Sequence, residues 1–114
     1  MTERWRVLLV EDSATDAKLV VLELRRGGRI VEVERVETAE AMRAALAAGP
    51  WDVVVSDWSM PAFTALGARA IVRELGLDLP FIIASGTIGE DAAVEAMRAG
   101  ADDFVLKDKL AARR

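Results

Sequence analysis

The strongest constraint on the fold of this chain is a repeated change of period. Short, nearly unbroken apolar runs alternate with longer stretches whose apolar residues recur at helical spacing. Val7–Val10, Val53–Val55 and Phe81–Ala84 are the unbroken runs. A strand that is apolar at almost every position must be covered on both faces, as central strands of a parallel sheet are. Ile30–Val36 instead interleaves Glu32, Glu34 and Arg35 with its valines, so it reads as an edge strand with one wetter face. Phe104-Val105-Leu106, bracketed by Asp103 and Lys107, reads as a short fifth strand. Helices are expected over Asp16–Arg26, Ala39–Ala48, Ala65–Leu75 and Asp91–Ala99. Leu19, Val20 and Leu22 supply the apolar stripe of the first, and Ala93, Val94 and Met97 that of the fourth. Thr38 reads as an N-cap, and Gly28, Gly49-Pro50, Gly76 and Gly100 each stand where a helix should stop. Strand, helix and short loop thus recur, and right-handed crossovers turn that recurrence into an open parallel sheet with helices on both faces. After Leu106 only Lys107–Arg114 remain, so a fifth helix beginning near Asp108-Lys109-Leu110 is expected to be truncated. The expectation is a chain cut from a longer one, or one whose partner supplies the missing cover.

Composition narrows the chemistry. With 114 residues and 53% apolar content the chain suits one domain, residues 1–114, with a single core. It contains no His, Cys or Tyr. That excludes imidazole bases, thiol nucleophiles, Cys/His zinc sites, iron–sulfur clusters and disulfides. What remains is carboxylates, Lys, Arg, hydroxyls and backbone, a kit that favours a hard, oxygen-loving cation such as magnesium. A net charge of −4 and the lack of a basic stripe argue against direct nucleic-acid or membrane binding. Val7–Val10 is too short for a signal-peptide core and no later run approaches a membrane span, so a cytoplasmic location is the default expectation.

In an open α/β sheet the site lies at the carboxyl ends of the strands. Glu11-Asp12-Ser13 follows the first strand, Asp57-Trp58-Ser59-Met60-Pro61 the third, Ser85-Gly86-Thr87 the fourth and Lys107 the fifth. Singly, Glu11-Asp12 reads as a solvated turn, Ser85-Gly86 as an ordinary loop and Lys107 as a surface lysine. Jointly they bring three carboxylates, several hydroxyls and an ammonium into one pocket. Trp58 reads as a packing or partner-surface aromatic, and Trp5 and Trp51, each just before a strand, as packing at the opposite end of the sheet. Asp16 and Asp102-Asp103 read as capping or surface charge.

These residues resemble the receiver domains of two-component response regulators, similar to the chemotaxis response regulator. The resemblance rests on Val10-Glu11-Asp12, Asp57 with Met60-Pro61, Ser85-Gly86, Ala99-Gly100-Ala101-Asp102-Asp103-Phe104 and Lys107, and covers the chain up to the shortened fifth helix. It implies a flavodoxin-like, three-layer fold with strand order 2-1-3-4-5. It also implies that Asp57 is the phosphoryl acceptor and that Glu11, Asp12, Asp57 and the main-chain carbonyl of Ser59 hold magnesium. Ser85 and Lys107 would grip the phosphoryl group, and Phe104 would be the aromatic that swings inward as Ser85 moves. The implied donor is a sensor histidine kinase or a histidine phosphotransfer protein, and the output a downstream protein partner or a fused domain. Such a domain is a phosphorylated switch that catalyses only its own phosphorylation and dephosphorylation.

One departure is Asp108 after Lys107, where receivers commonly have proline. With Ser85-Gly86-Thr87-Ile88-Gly89, it is similar to receivers at the front of multidomain sensory proteins, hybrid kinases included. The resemblance also implies that Ser59 and Thr87, two residues beyond Asp57 and Ser85, flank the path of attacking water, and since neither is a strong base, modest self-dephosphorylation is expected. A phosphohydrolase of the haloacid dehalogenase type would need a second aspartate where Ser59 stands. A flavin binder would not place Glu11 and Asp12 where a phosphate must sit. A receiver-like module that binds its partner without phosphorylation is the remaining alternative.

Overall fold

The computed structural model describes residues 4–26, 28, 30–58, 63–85, 95, 97–98 and 100–106, with the backbone alone for 85 and 103–106. The apolar runs form strands β1 (Arg4–Val10), β3 (Val53–Asp57) and β4 (Phe81–Ser85), the mixed run forms β2 (Ile30–Val36), and β5 spans Asp103–Leu106. Helices α1 (Ala14–Arg25), α2 (Ala39–Ala48) and α3 (Ala65–Glu74) lie between them. The five strands run in the order β2-β1-β3-β4-β5 and every pairing is parallel. This is the open α/β sheet of strand order 2-1-3-4-5 that was expected, with β2 and β5 at the edges.

Two apolar clusters flank the sheet because successive side chains of a strand point to opposite faces. Leu8, Val10, Val54, Phe81 and Ile83 pack with Met42, Leu46, Ala68, Ile71 and Val72, on the side of α2 and α3. Val7, Leu9, Val53, Val55 and Ala84 pack with Ala17 and Val20 of α1 on the other. Each fully buried Val, Leu, Ile, Met or Phe among these stabilises the fold by about 1.5–3 kcal/mol.

Several boundaries differ from the sequence expectation, each for a physical reason. β1 begins at Arg4, because Arg4, Trp5 and Arg6 pair with Ile30, Val31 and Glu32. Trp5 therefore lies within β1 and packs on the α1 side, while Trp51 precedes β3 as expected. α1 starts at Ala14, capped by Ser13. Its inward stripe is Ala17 and Val20, both buried, with the partly buried Val21 and Leu24, spaced i, i+3, i+4, i+7. Leu22, expected on that stripe, projects away from it and is 58% exposed. Met97 is also exposed.

Thr38 caps α2 as expected, its Oγ1 accepting from the Ala41 N–H at 3.0 Å. Gly76 follows the C-cap of α3, Leu75, and its φ of +68° lets the Leu77 N–H turn back to the Val72 carbonyl at 3.2 Å. Glu95, Met97 and Arg98 are helical. The rest of the expected fourth helix and the start of a fifth lie outside the described residues.

Candidate metal and phosphoryl site

The carboxyl ends of β1 and β3 are adjacent in the sheet, so residues leaving them meet. Glu11 continues β1 by one residue, its N–H donating to the Val36 carbonyl at 3.0 Å. Arg35 Nη1 donates to the Glu11 carbonyl at 3.1 Å and to Glu37 Oε1 at 2.6 Å. The Glu11 side chain is only 1% exposed, and its Oε2 accepts from the Ser13 N–H at 3.3 Å. Ser13 Oγ accepts from the Asp16 N–H at 3.2 Å, so the loop that turns Glu11 inward also starts α1. The cap is therefore Ser13 and not Asp16, which lies inside the first turn of α1 with its own N–H capped.

Asp57 is the last residue of β3 and is 7% exposed. Its backbone is fixed on both sides. Ser56 Oγ donates to the Asp57 carbonyl at 3.1 Å, and the next N–H, of Trp58, donates to the Ala84 carbonyl at 3.2 Å. Trp58 packs partly buried against the α2 and α3 cluster, which supports its packing reading.

Glu11, Asp12 and Asp57 each place a carboxylate oxygen within 4.8 Å of the others. Glu11 and Asp57 are buried and Asp12 is exposed, so the cluster opens to solvent on one side. Two carboxylates at this separation repel by roughly 3 kcal/mol at an effective dielectric of 20. A hard divalent cation relieves that repulsion, and an all-oxygen donor set with one open side fits such an ion.

Ser85 ends β4 one residue beyond Ala84, the partner of Asp57, which sets its backbone at the same edge of the sheet. Across β5 its partner is Leu106, and Phe104 stands opposite Ile83. The side chains of Ser85 and Phe104, and all of Ser59, Thr87 and Lys107, lie outside the described residues.

Two aspartates at the other end of the sheet were missed as anchors by sequence reasoning. Asp102 donates its N–H to the Phe81 carbonyl at 2.8 Å, and its Oδ2 accepts from the Phe81 N–H at 2.6 Å. Asp52 does the same with Arg6, at 2.8 Å for both bonds. Asp102 is therefore a strand anchor rather than plain surface charge. The available signal was an aspartate directly before a strand, at Asp52-Val53 and Asp102-Asp103.

Residues 7–113 match the response regulator receiver domain family. The two-component response regulator ORR41 of Oryza sativa subsp. japonica is 36% identical over 105 residues, covering 90% of this chain and 82% of that protein. Transcriptional regulatory protein PrrA of Mycobacterium tuberculosis is 33% identical over 105 residues, 90% of this chain and 43% of PrrA. The chain thus spans less than half the length of that relative. Among solved structures, full-length FixJ from B. japonicum superposes with a TM-score of 0.76 at 27% identity, covering 98% of this chain and 56% of FixJ.

Proposed function

Because the chain belongs to the response regulator receiver domain family, we propose that it is the phosphoacceptor of a two-component phosphorelay and that Asp57 carries the phosphoryl group. The observation that carries this reading is the convergence of Glu11, Asp12 and Asp57 within 4.8 Å at the carboxyl edge of the sheet. Glu11, Asp12, Asp57 and the Ser59 carbonyl would hold magnesium, which when bound neutralises charge on the transferring phosphoryl oxygens.

A carboxylate oxygen of Asp57 attacks phosphorus in line. The phosphorus–nitrogen bond of a phosphohistidine breaks, the imidazole leaves with the electron pair, and an acyl phosphate forms. Burial of Asp57 excludes bulk water from all but the open side, and its fixed backbone orients the nucleophile. Ser85 and Lys107 then donate charge-assisted hydrogen bonds to the phosphoryl oxygens, each worth about 1.5–3 kcal/mol. Shifting a switch from mostly off to mostly on takes roughly 5.5 kcal/mol, so two or three such contacts suffice, with Phe104 turning inward as Ser85 moves.

The chain has no histidine, so the donor histidine belongs to a sensor kinase or phosphotransfer protein. The output passes to a protein partner or a fused domain, in the cytoplasm. Residues 1–114 act as one receiver domain and a switch, catalysing only the gain and loss of their own phosphoryl group.

Incubation with magnesium and acetyl phosphate tests this. An acid-stable, base-labile adduct should form on the parent protein and be absent from Asp57→Asn. An equal adduct on that variant defeats the assignment.

A further inference from the structure

We propose that Asp102 is a positioning residue for phosphoryl chemistry at Asp57, acting through the register of β5. This rests on the phosphoacceptor reading above and adds to it a residue at the far end of the sheet. Among the described residues β5 is a four-residue edge strand bonded only to β4. So short an edge has few ladder bonds to choose its own register. A slip of one residue moves it by about 3.3 Å and turns every side chain to the opposite face.

In the observed register Phe104 stands opposite Ile83 and Leu106 opposite Ser85. The residue next in sequence after Leu106 is Lys107, which the phosphoacceptor reading assigns to the phosphoryl group. What selects the register is the approach to β5. Asp102 holds both the N–H and the carbonyl of Phe81, at 2.6 and 2.8 Å. Two residues earlier, Arg69 Nε of α3 donates to the Gly100 carbonyl at 3.0 Å. Gly100 has a φ of +101°, and a Cβ there would stand 3.2 Å from Arg69 Nε, so only glycine leaves this approach unstrained.

Asp52 makes the same two bonds to Arg6 and serves as the internal control. There the clamp is redundant, because β3, the strand that Asp52 leads into, is paired on both sides, with β1 and β4.

The experiment compares Asp102→Ala, Asp102→Asn and Asp52→Ala in the full chain, reading three quantities. These are the rate of labelling by acetyl phosphate, magnesium affinity from Trp58 fluorescence, and stability in urea. A 1 Å misplacement can cost about a hundredfold in rate, and a partly lost register is expected to cost roughly tenfold in Asp102→Ala. Its magnesium affinity should stay within about twofold of the parent, since Glu11 and Asp12 follow β1 and Asp57 ends β3. Asp102→Asn keeps an oxygen acceptor and should recover most of the rate. Asp52→Ala should lose stability and keep the rate.

Labelling of Asp102→Ala within twofold of the parent, or equal slowing in Asp52→Ala, overturns the positioning role alone. A parent protein that takes no label overturns the phosphoacceptor reading, and the positioning role with it.

Discussion

Glu11 and Asp57 are where packing and charge most oppose each other, since both are buried and their carboxylate oxygens lie within 4.8 Å. Removing one of the two charges while keeping its shape should therefore stabilise the metal-free protein. Asp57→Asn is expected to gain about 1 kcal/mol in urea unfolding with chelator present, a fraction of the roughly 3 kcal/mol Coulomb repulsion after solvent and ions respond. The same variant should lose most of the stabilisation that magnesium gives the parent. A metal-free Asp57→Asn less stable than the parent would mean that the carboxylates are not mutually strained. Trp51 is an opposite case, in which every feature agrees. Its Nε1–H donates to the buried Ala45 carbonyl at 2.8 Å, and the Arg6 guanidinium sits 4.5 Å above its ring. Gly49 leaves it room, because a Cβ there would stand 2.7 Å from Trp51 Cδ1. Trp51→Phe forfeits the hydrogen bond and weakens the cation contact, for an expected loss of about 1–2 kcal/mol in the urea midpoint analysis.

At the scale of elements, the three described helices share one starting device, a hydroxyl that accepts an N–H three residues on, from Ser13, Thr38 and Thr64. Losing such a cap costs about 1 kcal/mol wherever it sits. Only the α1 cap adjoins the acidic cluster, since the Ser13 N–H itself donates to Glu11 Oε2. Ser13→Ala and Thr38→Ala should accordingly cost similar stability. Magnesium titration should separate them, weakening severalfold in Ser13→Ala and staying unchanged in Thr38→Ala. Equal affinities would show that Glu11 is held without help from the start of α1. Thr38 was legible as a cap because an apolar-periodic run comes directly after it. Ser13 was not, because the first turn of α1 is the exposed Ala14 and Thr15, which carry no periodic signal. The same limit shortened β1 in the sequence reading. Arg4 and Arg6 look like a charged tail until their pairing with Ile30 and Glu32 makes them a strand.

For the whole molecule, the class of fold was legible because strands apolar on both faces leave few alternatives to a covered parallel sheet. The strand order was not written in any local pattern and came from resemblance. The convergence of Glu11, Asp12 and Asp57 was legible because such a sheet gathers the residues at its strands' carboxyl ends along one edge. The Asp52 and Asp102 anchors were hidden, since their meaning depends on which strands become neighbours. The central sheet also divides the core into two layers, with Met42 in one and Val20 in the other. Side chains on opposite faces share no partners, so their losses should add to within about 0.5 kcal/mol. Met42→Ala is expected to cost about 2–5 kcal/mol and Val20→Ala somewhat less, by the cavity each leaves. Together they approach the roughly 5–15 kcal/mol that holds a domain of this size folded. Magnesium that binds the assembled carboxylates and not the unfolded chain should return about 2.7 kcal/mol at a hundred times its dissociation constant. The double variant is therefore expected to be partly unfolded in chelator and largely folded in saturating magnesium, followed by circular dichroism. A double variant departing from the sum of the singles by more than about 1 kcal/mol would show that the sheet transmits strain between its two faces. One that magnesium fails to rescue would break the link between the folded core and the acidic site.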